Sequence, residues 1–196
     1  QCLDRRHFDL RGENVSAEFL ASPYTVFCPK CLLADDEASG GELHFRLHRW
    51  IWQLRVVRTC PEHGLPLMRR KANYSGDRFH ELAIMVPETG DRLRMMIDAV
   101  KQRPISPLQG YVLKRLQGTK GPEWLDGEEI DQAVRATEML GVLMAFGPKP
   151  NLDKLTEDDW DRAGAIGFTY TAQGEDGIRR ALSEVQASVK DPTGKQ

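Results

Sequence analysis

The chain has 196 residues, of which 40% are hydrophobic and 29% are charged, and its formal net charge is −2. This balance is typical of globular proteins, and it excludes a collagen-like or a wholly disordered chain. The longest apolar stretch, residues 139–146, is far shorter than the roughly 20 residues that cross a bilayer, so no membrane span is predicted.

Two short motifs of equal spacing place cysteine and histidine where a metal ion would need them. Cys28-Pro-Lys-Cys31 and Cys60-Pro-Glu-His63 each offer two ligands separated by two residues. Zinc takes four thiolate or imidazole ligands in a tetrahedron, and a closed set of four marks a structural site. We therefore predict one structural zinc ion held by Cys28, Cys31, Cys60 and His63. Buried free cysteines beside a surface histidine would not account for two matched motifs.

Cysteine usage also indicates a compartment. Four cysteines in a chain of 196 residues do not suggest a disulfide scaffold. Thiolates that serve as metal ligands are typical of a reducing compartment, so we predict a cytoplasmic protein. Cys2 is left over, and we interpret it as a plain thiol.

One enzymatic alternative would use the same residues. Zinc nucleobase deaminases combine a Cys/His-x-Glu element with a Pro-Cys-x-x-Cys element, and the glutamate moves protons beside zinc-bound water. Cys60-Pro-Glu62 matches the first element superficially. Here, however, the paired cysteines come first and lack the leading proline, and His63 would fill the position that catalytic water needs. We therefore predict a binding protein and not an enzyme.

The segment between the two motifs is long enough to hold structure of its own. Arg55-Val-Val-Arg58 has the β-branched character of a short strand, and Gly64 permits a tight turn after the second motif. We expect Trp50 to fill the core and not to stack on a nucleic-acid base. Apolar residues recur at helical spacing ahead of the strand and predict an amphipathic helix, with its stripe at Leu43, Leu47, Trp50, Ile51 and Leu54.

A basic band runs through residues 43–71, which hold seven cations against one anion, Glu62. Clustered lysine and arginine bind phosphates whatever the overall charge, so the band is a candidate surface for nucleic acid or a partner protein. An ordinary solvated face is the alternative that the sequence leaves open. The cations of this basic band are Arg46, Arg49, Arg55, Arg58, Arg69, Arg70 and Lys71.

Helical signals dominate the rest of the chain. Ser106 and Pro107 predict an N-cap and a first-turn proline for a helix that Gly118 closes. Asp126 and Glu129 have the spacing of a capping box ahead of a longer helix. The apolar stripe of an earlier helix lies at Leu93, Met96, Ile97 and Val100.

Two more helices are predicted towards the end of the chain. Thr156 caps the first, which we expect to break at Gly164 and Gly167. The predicted fold class is therefore α+β and mainly α, with an N-terminal zinc-ribbon-like unit that carries an inserted helix, followed by a C-terminal helical bundle. We place the zinc-ribbon-like domain at residues 1–80, the helical domain at 81–189 and a disordered tail at 190–196. The stripe of the last helix is Ile178, Leu182, Val185 and Val189.

The zinc motifs and their flanks resemble the TniQ family, which contains target-selection proteins of transposons, mercury-resistance transposons among them. The resemblance is strongest over Phe27-Cys-Pro-Lys-Cys-Leu32, residues 50–54 and residues 60–67. Leu10-Arg-Gly12 is similar to a segment that precedes the first motif in that family. Residues 124–127 and 155–160 are similar to family features in the helical half.

This resemblance implies a non-catalytic adaptor in DNA transposition, a form of DNA recombination. Such an adaptor links target DNA, or a complex bound to it, to an AAA+ transposition ATPase. The implied partners are that ATPase, other transposition proteins and double-stranded DNA, and a homodimer is left open. The implied zinc ligands are the same four residues, while residues 69–80 lack the second cysteine pair that some relatives have. The alternative is a zinc-stabilised protein-interaction module without direct DNA contact.

Overall fold

The computed structural model describes residues 6–20, 24–71 and 81–190. For residues 189 and 190 it describes the backbone alone. Packing divides the chain into two compact units. The metal-motif unit is Glu18–Ile105, and the helical unit combines Gln1–Ala17 with Ser106–Gln196. The predicted domain limits stay a prediction, because packing alone does not test which segments fold independently.

Two features named in the sequence lie outside the described residues. One is Cys2, and the other is the predicted disordered tail, apart from Lys190, which the last helix includes. Within the described part of the chain, no helix is long and apolar enough to cross a membrane. The elements in chain order are β1 (His7–Leu10), β2 (Glu13–Ser16), β3 (Tyr24–Phe27), α1 (Pro29–Ala38), β4 (Met68–Lys71), α2 (Leu82–Met85), α3 (Gly90–Asp98), α4 (Pro107–Arg115), α5 (Glu123–Asp126), α6 (Ile130–Phe146), α7 (Glu157–Thr171) and α8 (Gly174–Lys190).

The metal-motif unit is built on a two-stranded sheet and a pair of helices. β3 pairs antiparallel with β4, so that Phe27 lies opposite Met68. α1 follows β3 directly and packs against α3. Its first residue is Pro29, whose fixed φ suits the first turn of a helix. The fully buried side chains of this unit include Val26, Phe27, Leu32, Trp52, Leu54 and Leu65.

The amphipathic helix predicted for residues 43–54 is wrong. In its place are two short 3₁₀ turns, Leu43–Phe45 and Trp50–Gln53, joined by extended backbone. Arg46 and Arg49, which an amphipathic helix would turn to solvent, instead bind the carboxylates of α1. These ion pairs fix the path of the backbone. Hydrophobic periodicity contains no information about them. The helix that enters the segment between the two metal motifs is α1, which begins inside the first motif.

Two smaller predictions for this segment are also wrong. Trp50 is 38% exposed, whereas Trp52 is completely buried, because a 3₁₀ turn directs these side chains differently from an α-helix. Residues 55–58 form no strand. Val56 and Val57 are both buried, which the alternation of a half-exposed strand would not allow.

The helical unit begins with a β-hairpin. β1 and β2 pair antiparallel, and Arg11 and Gly12 form the turn between them with φ of 58° and 86°. Positive φ at both positions suits the right-handed twist of a tight hairpin. The guanidinium of Arg115 donates to both carboxylate oxygens of Glu13 at 2.8 Å, which ties the hairpin to α4.

The helix boundaries of this unit agree largely with the sequence signals. The Ser106 hydroxyl accepts from the backbone N–H of Gln109 at 3.4 Å and so caps α4, which begins at Pro107. Thr156 and Asp159 form a complete capping box at α7. The predicted box at Asp126 and Glu129 does not form, since Glu129 occupies the cap position of α6 without a side-chain bond. The predicted fold class, mainly helical with a small sheet region near the N-terminus, is confirmed.

The break predicted in α7 is wrong, since this helix runs unbroken from Glu157 to Thr171. Its glycines serve contact with α6. A Cβ on Gly167 would lie 1.9 Å from the carbonyl oxygen of Thr137, and one on Gly141 would lie 1.7 Å from that of Ala163. Both distances are far inside van der Waals contact, so these glycines let the two backbones touch.

Candidate metal centre

The first motif is formed at the junction of β3 and α1. Cys28 caps α1 in an extended conformation, with φ −107° and ψ 121°, and Cys31 lies in the first turn of the helix. This change of backbone direction brings the two thiols together. The backbone N–H of Cys31 donates to the sulfur of Cys28, as expected for a cysteine at the N-terminus of a helix.

The second motif is the tip of a short hairpin. The N–H of Leu67 donates to the carbonyl of Arg58, and that of Cys60 to the carbonyl of Leu65, both at 2.8 Å. Gly64 closes the turn with φ +63°, as its position in the sequence predicts. Backbone N–H groups of Glu62 and His63 donate to the sulfur of Cys60. Both motifs therefore direct backbone dipoles at a cysteine.

The structure brings all four predicted ligands together. Their ligand atoms lie within 4.8 Å of one another. The sulfurs of Cys31 and Cys60 are 3.7 Å apart, and Nδ1 of His63 lies 3.7, 3.3 and 3.7 Å from the sulfurs of Cys28, Cys31 and Cys60. A zinc ion with sulfur at about 2.3 Å has tetrahedral edges of about 3.8 Å between sulfurs. A disulfide would need about 2.0 Å.

The three thiols cannot all ionise without a nearby cation. Contacts with the thiols of Cys28 and Cys31 lower the pKa of Cys60 to about 2. The pKa of Cys31 is raised far above its usual value. The largest cause is contact with the thiol of Cys28, followed by contact with Cys60 and by burial. Contact with Cys31 lowers the pKa of Cys28, but contact with Cys60 and burial outweigh it and raise that pKa to about 11. A divalent ion would supply the positive charge that three thiolates require.

Glu62, the acid that the deaminase alternative would need, lies at the edge of the centre. Its side chain is exposed, and Oε2 lies 3.6 Å from the sulfur of Cys31. The three sulfurs and Nδ1 of His63 already supply four ligand atoms at tetrahedral spacing. Such a set leaves no coordination position for water, so the arrangement is suited to structural and not to hydrolytic use.

The basic band is largely occupied by internal contacts. Arg70 pairs with Glu88 through bonds of 2.9 and 2.6 Å, and Arg49 pairs with both oxygens of Asp35. Arg46 is 6% exposed and pairs with Asp36. All three carboxylates lie outside residues 43–71, the range that defines the band. In the folded unit they therefore offset much of the positive charge that the band has in the sequence.

The other members of the band divide into two groups. Arg58 is 6% exposed. The Arg69 guanidinium donates to the carbonyl of Arg55 at 3.0 Å and is half-buried. Arg55 and Lys71 are exposed. These two side chains are the members of the band that the structure presents most openly to solvent.

The segment that carries the metal ligands also carries a family signature. Residues 3–67 match the family model of TniQ. The resemblance found in the sequence is thus confirmed over this TniQ segment, which contains all four ligands. The similarity of residues 124–127 and 155–160 lies outside it and stays a prediction. No curated protein and no solved structure matches the chain.

Proposed function

We propose that this protein is a non-catalytic zinc-binding adaptor in DNA transposition, which links target DNA or a target-bound complex to an AAA+ ATPase. The observation that carries the proposal is the coincidence of the TniQ segment with a tetrahedral set of three cysteines and one histidine. The resemblance implies the adaptor role, and the ligand set is of the kind that serves structure.

Zinc is the ion that suits this ligand set best. Three thiolates and one imidazole at tetrahedral spacing match its preference for sulfur and nitrogen, whereas magnesium and calcium take oxygen ligands. Cys28, Cys31, Cys60 and Nδ1 of His63 would hold the ion. Four protein ligands close the coordination shell, so the ion would cross-link two motifs that are distant in the sequence.

If the protein touches DNA through the basic band, Arg55 and Lys71 are its best contacts because both are exposed. The alternative is a protein-interaction module without direct DNA contact. An observation in the same unit favours this alternative: Phe45 is 59% exposed and Leu47 is 63% exposed. Large apolar side chains with such exposure are more typical of protein interfaces than of phosphate contacts.

The dependence of binding on salt separates the two candidates. Purified protein is titrated with double-stranded DNA at several salt concentrations, and the adaptor that touches DNA loses affinity steeply as salt rises. Arg55→Ala and Lys71→Ala should each reduce that slope by about one counterion. Lys101→Ala removes an exposed cation of the same unit, outside the band and both metal motifs, and serves as the matched control. A slope near zero would favour the protein-interaction module.

Binding to the ATPase tests the adaptor role directly. We expect genes for a transposase and an AAA+ ATPase beside the gene of this protein, and purified ATPase should bind the native chain. If Phe45→Ser with Leu47→Ser weakens that binding while the salt dependence of DNA binding is unchanged, the contact is apolar. A bacterial cytoplasm is the proposed location, because thiolate metal ligands are typical of a reducing compartment. Light scattering of the purified protein distinguishes a monomer from the homodimer left open above.

A further inference from the structure

We propose that Arg103 is a positioning residue of the metal centre, which clamps the hairpin that carries Cys60 and His63. Arg103 lies after α3, in a segment without regular secondary structure. It is 43 residues from Cys60 in the sequence. The inference rests on the proposed metal centre and adds a residue to it that neither motif contains.

Arg103 contacts the hairpin at both ends of the metal-binding turn. Its backbone N–H donates to the carbonyl of Gly64 at 2.7 Å, which holds the residue that follows His63. Its Nε donates to the hydroxyl of Thr59 at 2.8 Å, immediately before Cys60. The two ligands thus lie between two fixed points that the same residue supplies.

A third bond completes the clamp. The Nη2 atom of Arg103 donates at 3.2 Å to the carbonyl of Arg58, the same carbonyl that accepts the N–H of Leu67 across the hairpin. Thr59 is completely buried, so its hydroxyl has lost its hydrogen bonds with water. The hydrogen bond from the Arg103 guanidinium offsets this loss. The planar guanidinium can serve both acceptors at once, which a lysine ammonium does less well.

The space around Gly64 shows how closely the segment fits. A Cβ on Gly64 would lie 3.0 Å from the carbonyl oxygen of Arg103, and the φ of +63° already disfavours other residues. Backbone therefore packs on backbone beside the turn. The guanidinium bonds to Thr59 and Arg58 restrict the turn that carries the two ligands, and the loss of a contact that orients a metal ligand typically costs about 10- to 100-fold in metal affinity.

The test follows metal release from the full-length protein. Zinc transfer to a colorimetric chelator is timed in native protein and in Arg103→Ala, and we expect release to be roughly 10-fold faster in the variant. Arg103→Lys should give an intermediate rate. Arg94→Ala is the matched control, because Arg94 is an arginine of the same unit whose side chain is 54% exposed. The control should release zinc at the native rate.

A double-mutant cycle distinguishes the clamp from a general loss of stability. Thr59→Val removes the hydroxyl that Arg103 bonds. The increase in zinc release rate in the double variant should therefore be smaller than the product of the increases in Thr59→Val and Arg103→Ala. Cobalt substituted for zinc should show an altered visible spectrum in Arg103→Ala if the ligands shift. A native release rate in Arg103→Ala would overturn the clamp and leave the proposed metal centre standing. The same holds if the increase in the double variant equals the product of the two single increases. A native protein that holds no zinc overturns both the clamp and the proposed metal centre.

Discussion

Arg46 and Asp36 form a buried ion pair with two parallel bonds, in which Nε lies 2.6 Å from Oδ1 and Nη2 lies 2.6 Å from Oδ2. The side chain of Arg46 is 0% exposed and that of Asp36 is 9% exposed. The guanidinium also donates to the carbonyls of Val86 and Glu88. One arginine therefore joins the segment between the metal motifs to α1 and to the stretch ahead of α3.

Removal of Asp36 should be strongly destabilising. Asp36→Ala leaves the Arg46 charge buried without its carboxylate, and breaking such a pair typically costs about 3–5 kcal/mol. The measurement is the free energy of unfolding in urea. Asp91→Ala is the control, because the side chain of Asp91 is 95% exposed and its pair with Arg94 should contribute within about 0.5 kcal/mol. Equal losses in both variants would contradict the structural role of the buried pair.

Metal and fold should be inseparable in residues 28–67. Metal analysis of native protein should give one zinc per chain, and Cys60→Ala should abolish binding and unfold this segment. Structural zinc contributes about 10 kcal/mol or more of apparent binding free energy, which is comparable to the stability of a whole domain. Hydrogen exchange at the amides of Cys60 and Gly64 reports the unfolding. Unchanged protection after complete chelation would rule out a structural ion.

Glu62 should be dispensable for metal binding. Its carboxylate lies outside the four-ligand set, so Glu62→Gln should retain one zinc per chain and native DNA or ATPase binding. X-ray absorption of the zinc protein should show three sulfur ligands and one nitrogen ligand. Two sulfurs with a bound water, together with a loss of function in Glu62→Gln, would restore the enzymatic alternative.

Acid should weaken the metal-motif unit partly through Glu88. Its hydrogen bonds with Arg70 lower the pKa of Glu88 below the ordinary 4.5. A carboxylate with a lowered folded-state pKa contributes stability above its unfolded-state pKa, and this contribution is lost as pH falls through the folded-state value. Glu88→Gln should therefore be less stable than native protein at neutral pH and should lose less stability below pH 4.5.

The comparison of Glu88→Gln with native protein also separates this effect from metal loss. Protonation of the zinc ligands in acid acts on both proteins, so the difference between their unfolding free energies isolates the Arg70–Glu88 pair. Chemical unfolding is measured at a series of pH values. A difference that is constant from neutral to acidic pH would mean that the pair does not titrate with folding.

The glycine contact between α6 and α7 should not tolerate even a methyl group. Gly141→Ala places a Cβ 1.7 Å from a backbone carbonyl of α7, so one helix must move, at a cost of about 1–3 kcal/mol or more. Thermal unfolding followed by circular dichroism measures the loss. Gly127→Ala is the control, because a Cβ there meets its nearest atom at 3.5 Å, an ordinary contact. Equal stability of the two variants would contradict this account of the helix pair.

Local chemistry explains what the sequence predicts well. The spacing of Cys28, Cys31, Cys60 and His63 predicts the ligand cluster because metal chemistry limits the residues that can stand in such motifs. Ser106 and Gly64 predict a helix start and a turn because each satisfies a requirement of the backbone at its own position. Such signals depend on near neighbours in the chain.

Long-range pairing explains what the sequence predicts poorly. The helix expected at residues 43–54 fails because Arg46 and Arg49 bind Asp36 and Asp35, and apolar periodicity contains no information about these partners. Gly167 gives the same local signal whether a helix breaks or a neighbouring helix touches it. Arg103 lies in an irregular segment with no motif, so its contact with the second metal motif emerges only from the folded chain.

The grouping of residues 1–17 with residues 106–196 in one unit has a consequence for biosynthesis. The hairpin of β1 and β2 leaves the ribosome early, but Arg115, the partner of its Glu13, is translated 102 residues later. The metal-motif unit, by contrast, is continuous from Glu18 to Ile105 and can acquire its ion while translation goes on. The metal-motif unit should therefore fold first, and the hairpin of β1 and β2, although translated before it, should find its native neighbours only later.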